Sequence, residues 1–214
     1  MLKKLSSIET NIKTQPSSTS TPITKFGAVG SISLNEQEKT TAVTNLINQN
    51  PFQVESQLRL QIQSDLSYKV EFNERYDSHH GKVILTSVDI DNDNLEQLNK
   101  ALLTVTKSLM PLSDEELIER LTVMMAVQNK QNMKEDDLTL KIKSLIQLIN
   151  YQDQIPADII VHAINYLTRN SPWYPAYSDI RERCSHMHNT RIKMRDALHK
   201  RINLLAFDNK IMHK

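Results

Sequence analysis

From Leu34 to about Asn48 apolar residues return every three or four positions, with Ala42, Val43, Leu46 and Ile47 on one face, until Asn50-Pro51 stops the run. The next stretch reads two ways. Val54, Leu58, Ile62 and Leu66 keep helical spacing, whereas Leu58, Leu60 and Ile62 alternate as a strand would. Two β-prone runs follow, Tyr68 to Phe72 and Val83 to Val88. They flank the turn-like Asp77-Ser78-His79-His80-Gly81 and predict a minor β-hairpin, satellite to a helical protein.

The helical period strengthens after residue 91. Leu95, Leu98, Leu102, Val105 and Leu109 follow the cap-competent Asp91-Asn92-Asp93-Asn94 and stop before Pro111. Ser113-Asp114-Glu115-Glu116 reads as a capping box for a helix whose buried face is Leu117, Leu121, Met124 and Met125. Leu138, Ile142, Leu145, Ile146 and Ile149 mark another helix, ending near Tyr151. Pro156 is placed as the first residue of the next, with Ile160, Ala163, Ile164 and Leu167 inward. A last helix is predicted from Ser178 to about Phe207. Its stripe is Ile180, Cys184, Met187, Met194, Leu198, Ile202 and Leu205, interrupted by Arg191.

The expected fold is therefore mainly α, a small helical domain of about four to five helices over residues 91–214. A mixed segment with the hairpin precedes it at 34–90, and an arm at 1–33. The arm is rich in Ser, Thr, Asn and Lys, including Gln15-Pro16-Ser17-Ser18-Thr19-Ser20-Thr21-Pro22, and is read as disordered because it has too little apolar surface to offset ordering. Composition narrows the class. Three glycines in 214 residues argue against a glycine-rich phosphate cradle and a turn-rich β fold, and aromatics are only 5%. A single cysteine fits a reducing compartment. With no signal-like segment and no apolar run of bilayer length, a cytoplasmic protein without a membrane partner is expected.

The net charge of +1 hides a local surplus: from Arg181 onward nine Lys and Arg stand against three Asp and Glu. That segregation suits phosphate contact, and equally suits a solvated helix face with cations toward its C-terminus. Arg181, Arg191, Arg195, Lys200 and Arg201 are the candidate contacts, with Arg191, Arg195 and Lys200 expected to line up as one strip touching DNA or an acidic partner. Trp173, Tyr174 and Tyr177 offer a stacking platform for bases. The competing and favoured expectation makes Trp173 a buried plug between helices, costing about 3–5 kcal/mol to remove.

Cys184-x-His186-x-His188 lacks a second ligand pair, and the alternating Asp89, Asp91 and Asp93 lack the Gly and Glu of a calcium loop. Neither is expected to hold a metal, and no cofactor is expected. The chain contains no nucleophile triad order, Walker motif or dinucleotide fingerprint, so a non-enzymatic protein is expected.

A capped helix, a second ending in Tyr151, Ile155-Pro156-Ala157-Asp158, Ala163, Arg169, and then an aromatic-proline element before Ser178-Asp179-Ile180-Arg181 form one ordered set. It resembles a group of small phage and prophage proteins in which a Leu-Pro-x-Asp step leads, one helix later, to Phe-Phe-Pro-x-x-x-Glu-Leu. Here Trp173-Tyr174 stands for the Phe pair and Asp179-Ile180 for Glu-Leu, and the similarity spans roughly residues 109–190. Some members resemble the helicase-loading replication proteins of lambdoid phages. The resemblance implies a DNA-replication adaptor whose partner is another protein, such as a replicative helicase. The alternative is a virion or DNA-packaging component acting as an oligomer.

Overall fold

Most helix starts are set by a short polar residue or a proline in the computed structural model, which describes residues 34–128 and 134–212. The arm expected at 1–33 lies outside the described residues. In α1 (Glu36–Leu46) Asn35 accepts from the Glu38 amide at 2.8 Å and Glu38 returns the bond at 3.0 Å, a complete capping box. The ambiguous stretch is helix: α2 (Pro51–Asp65) has Asn50 as cap and Pro51 in its first turn, and buries Val54, Leu58 and Ile62 while Leu60 faces out.

The chain leaves α2 through Ser67 and Tyr68, both in the left-handed region at φ 53° and 62°. The buried Asn92 side chain donates to the Leu66 carbonyl at 3.0 Å and pins this corner. Strands β1 (Val70–Asp77) and β2 (Lys82–Ile90) then pair antiparallel from Val70↔Ile90 to Asp77↔Lys82, with a bulge between Asn73 and Glu74. The hairpin is longer than expected and is no satellite. Its Val70 and Leu85 are core residues.

Helix α3 (Leu95–Ser108) is capped by Asn94, and α4 (Asp114–Val127) by Ser113, which accepts from the Glu116 amide at 3.2 Å. Glu116 does not complete the box: its carboxylate takes Arg120 at 2.8 Å, one turn on. Helix α5 (Glu135–Ile146) runs into a π-helical turn, Gln147–Gln152. There the buried Asn150 amide donates to the Leu112 carbonyl at 2.9 Å and to Asp114 at 2.8 Å. In α6 (Ala157–Asn170) Pro156 sits one position earlier than expected, as the cap, and most of the first two turns are buried. Helix α7 (Tyr177–Met212) has 36 residues, a rod of about 54 Å. Among the described residues no helix is long and apolar enough to cross a membrane.

The fold is mainly helical with one small hairpin, and α7 serves two cores. One gathers Leu112, α4, α5, α6 and the Ile180, Cys184 and Met187 positions of α7; the other gathers α2, the hairpin, α3 and Met194, Leu198 and Ile202. The division expected at residues 90 and 91 falls inside the second core, because a two-stranded hairpin is marginal alone and packs against the helices on both sides of it in sequence.

Candidate functional site

Between the cores, at a position in register with the apolar stripe of α7, lies Arg191, which is 0% exposed. Its guanidinium grips Asp158 with both nitrogens, at 2.8 and 2.5 Å, and also donates to the Ser108 carbonyl at 2.6 Å. This is a fork-to-fork pair at the first turn of α6, where the helix N-terminus also favours the carboxylate. Arg191 is therefore not a contact for DNA, correcting the sequence expectation. The expected strip also fails by geometry: nine residues at 3.6 per turn put Lys200 about half a turn round α7 from Arg191.

The other cations of α7 are largely engaged within the chain. The Arg181 Nε lies 3.2 Å from Asp153, and Arg183 stacks 3.6 Å from the Tyr166 ring centroid. Lys193 donates to the Leu85 carbonyl of β2 at 2.5 Å. Arg195 pairs with its neighbour Asp196 at 2.9 Å. Arg201 donates to the Asn92 carbonyl at 3.1 Å and pairs with Asp93. Lys200 is exposed and carries no such bond among the described residues.

The connector between α6 and α7 is fixed at both ends. At the α6 end the buried Gln128 amide donates to the Leu167 carbonyl at 2.9 Å and the Ser171 carbonyl at 3.3 Å, and the Ser171 hydroxyl donates to the Trp173 carbonyl at 2.7 Å. At the α7 end Asp179 accepts from the Ala176 amide at 2.7 Å, the Tyr177 hydroxyl donates to Asp153, and Pro175 is buried. Tyr174 is half-buried against the first core, with the Lys141 ammonium 5.1 Å from its ring centroid. Trp173 is 60% exposed. It is no buried plug, and the aromatic trio does not form one platform: Trp173 faces solvent while Tyr174 and Tyr177 brace the connector.

Sequence reasoning missed Asp153, which receives both Tyr177 and Arg181 where the π-helical turn ends and Gln154 adopts φ 50°. It borders a cavity of about 230 Å³ also lined by Ile155, Arg181, Cys184 and His188. Burial, then the Asp153 hydrogen bond, pushes the Tyr177 hydroxyl well above its usual range. Burial pushes the Cys184 thiol up to about 12, which keeps it protonated and unreactive. Burial also lowers His188 and His186 below the usual imidazole value. Among the described residues no group of three or more His, Cys, Asp or Glu is placed to hold a metal ion. Asp153 had no such readable signal, but the burial of Asp158 had one, the cation Arg191 at a core position of the α7 stripe, which demands a buried carboxylate elsewhere.

No family model, curated protein or solved structure matches this chain.

Proposed function

We propose that the protein is a non-enzymatic accessory adaptor of phage or prophage DNA replication, which binds a protein partner such as a replicative helicase through the connector between α6 and α7. One observation carries the reading: Trp173 stands out in solvent on a segment whose two ends are locked by Gln128, Asp179 and Asp153. An exposed tryptophan on a rigid mount loses little conformational freedom on binding, and such residues dominate protein interfaces. The replication context comes from the resemblance over residues 109–190. DNA contact through α7 has no part in the proposal: Arg191 is buried, and Arg181, Arg183, Lys193, Arg195 and Arg201 each already hold a partner within the chain.

The test is titration of purified replicative helicase with the full chain and with Trp173→Ala. Loss of a hot spot worth about 2 kcal/mol weakens binding about 30-fold. Helicase binding that is absent in the wild type, or unchanged by Trp173→Ala, ends the reading. A large closed multimer in light scattering, with no helicase bound, would favour the virion or packaging role instead.

A further inference from the structure

Strand β1 pairs with β2 and with no other strand among the described residues. The register passes from Asn73↔Ser87 to Glu74↔Leu85 and leaves out Thr86, so the inserted residue of the bulge belongs to β2 and β1 carries none. The Lys69 carbonyl accepts from the Asp91 amide at 3.0 Å, and the Asn73 carbonyl accepts from the Thr86 hydroxyl at 2.8 Å. Backbone groups alternate in direction along an antiparallel strand. Odd-numbered positions of β1 therefore bond toward β2, and the N–H and C=O groups of Val70, Phe72, Glu74 and Tyr76 point to the outer edge, where a further strand can take them.

The side chains beside that edge carry unspent charge. Lys69, Glu71 and Arg75 are exposed and hold no ion pair among the described residues. Glu71 and Arg75 stand about 13 Å apart along the strand, too far to meet each other. Glu71 also lies opposite Asp89 of β2, a like charge. The pattern wants a cation near Glu71 and an anion near Arg75.

We propose that the outer edge of β1 binds a second copy of this chain, the two β1 strands running antiparallel about a two-fold axis at Asn73 to give a four-stranded sheet. About that axis Glu71 faces the partner's Arg75, Lys69 faces the partner's Asp77 and Val70 faces the partner's Tyr76, each contact occurring twice. Phe72 faces the partner's Glu74, beside Arg59, which already lies over the Phe72 ring and pairs with Glu74. The outward backbone groups meet one another in this register. Moving the axis one residue back sets Lys69 against Arg75, and one residue forward sets Glu71 against Asp77. An axis between residues sets odd positions against even ones and leaves the ladder unmatched. Charge and backbone thus select one register, and the pairing uses the β1 edge of both copies and stops at the dimer. The proposal does not depend on the adaptor reading, since neither Trp173 nor the connector takes part.

The experiment is analytical ultracentrifugation of the full chain over a wide concentration range, where wild type passes from monomer to dimer. Glu71→Arg and Arg75→Glu each replace two attractive pairs by two repulsive ones and weaken the dimer about tenfold. Mixed in equal amounts, the two variants associate with each other as tightly as wild type does with itself, because each supplies the charge the other lacks. Both positions are exposed, so folding is not at risk. Asn73→Cys lies on the axis, in a pair whose Cα atoms are about 4.5 Å apart, and forms a disulfide between copies under mild oxidation, the native Cys184 being buried. A chain that stays monomeric at the highest concentration reached overturns the proposal. So does a dimer indifferent to both reversals, which would assign association to another surface. A mixture no tighter than either variant alone, or a dimer of Asn73→Cys that does not cross-link, overturns it as well.

Discussion

Between Ile180 and Met187 the stripe of α7 is buried among α4, α5 and α6, whereas between Met194 and Ile202 the same stripe meets α2, α3 and the hairpin. The first core closes with helices alone, and neutral amides finish it: Gln128 satisfies the end of α6, and Asn150 the Leu112 carbonyl. The second includes two strands that could not stand alone, and charged side chains tie its strands and helices together. Lys193 reaches the Leu85 carbonyl, Arg201 reaches Asn92 and Asp93, Arg59 bridges Glu55 and Glu74, and Lys100 pairs with the buried Asp65 at 3.0 Å. Of the cations of α7, Lys193 and Arg201 serve the second core in this way.

Arg191 joins the two, since Asp158 begins α6 and Ser108 ends α3. Breaking that joint is the largest effect expected. Arg191→Met strands a carboxylate out of water and lowers stability by about 3–5 kcal/mol in urea unfolding, whereas Arg191→Met with Asp158→Leu recovers most of the loss. A single substitution costing less than about 1 kcal/mol would mean that the joint does not hold the cores together.

Core truncations come next. Leu121→Ala in the first core and Ile62→Ala in the second each cost about 2–4 kcal/mol, since both side chains are fully buried. In the otherwise native chain both shift one cooperative transition. In the Arg191→Met, Asp158→Leu background, Leu121→Ala shifts only the first core's transition and Ile62→Ala only the second's, if the ion pair is what couples them. A single shared transition in that background would show that α7 alone suffices as the link.

Helix existence was legible wherever the apolar period was strong, as in α3, α4 and α6, because burial on one side of a helix leaves its trace every three or four residues. The strand-or-helix ambiguity at 54–66 was settled by Leu60, whose exposure breaks the alternation. The site was less legible. Arg191 was visible as a break in the stripe of α7, but its partner lies 33 positions away on another helix, and such pairing is a product of tertiary packing. Trp173 misled because size and apolarity argue for burial, while the clamps that leave it outside involve Gln128, Asp153 and Asp179, all remote from it in character or in sequence.

Acid provides a milder probe of the two regions. His188 lines the Asp153 cavity near Arg191 and Arg195, and His186 faces Lys82, Arg59 and Lys193 beside the hairpin; burial is the main cause of the lowered value in both. Below about pH 6.5 the unfolded chain takes up protons that the folded chain refuses. Stability therefore falls as pH drops through that window and levels off below the folded-state value. Thermal midpoints measured from pH 7.5 to 5 should flatten partly in His188→Gln and partly in His186→Gln. A profile that neither change alters would place the acid sensitivity in the carboxylates.

The smallest effect on stability is expected at Trp173. Were it the plug its size suggests, Trp173→Ala would rank with the core truncations, but a side chain mostly in water leaves no cavity when removed, and the connector keeps the Gln128, Asp179 and Asp153 clamps that define it. The change in urea stability should stay below about 0.5 kcal/mol, while Tyr177→Phe, which removes the hydroxyl that Asp153 accepts, costs more, on the order of 1 kcal/mol. If Trp173→Ala proves the costlier of the two, the indole is packing against the fold in solution, and the adaptor reading loses the residue on which it depends.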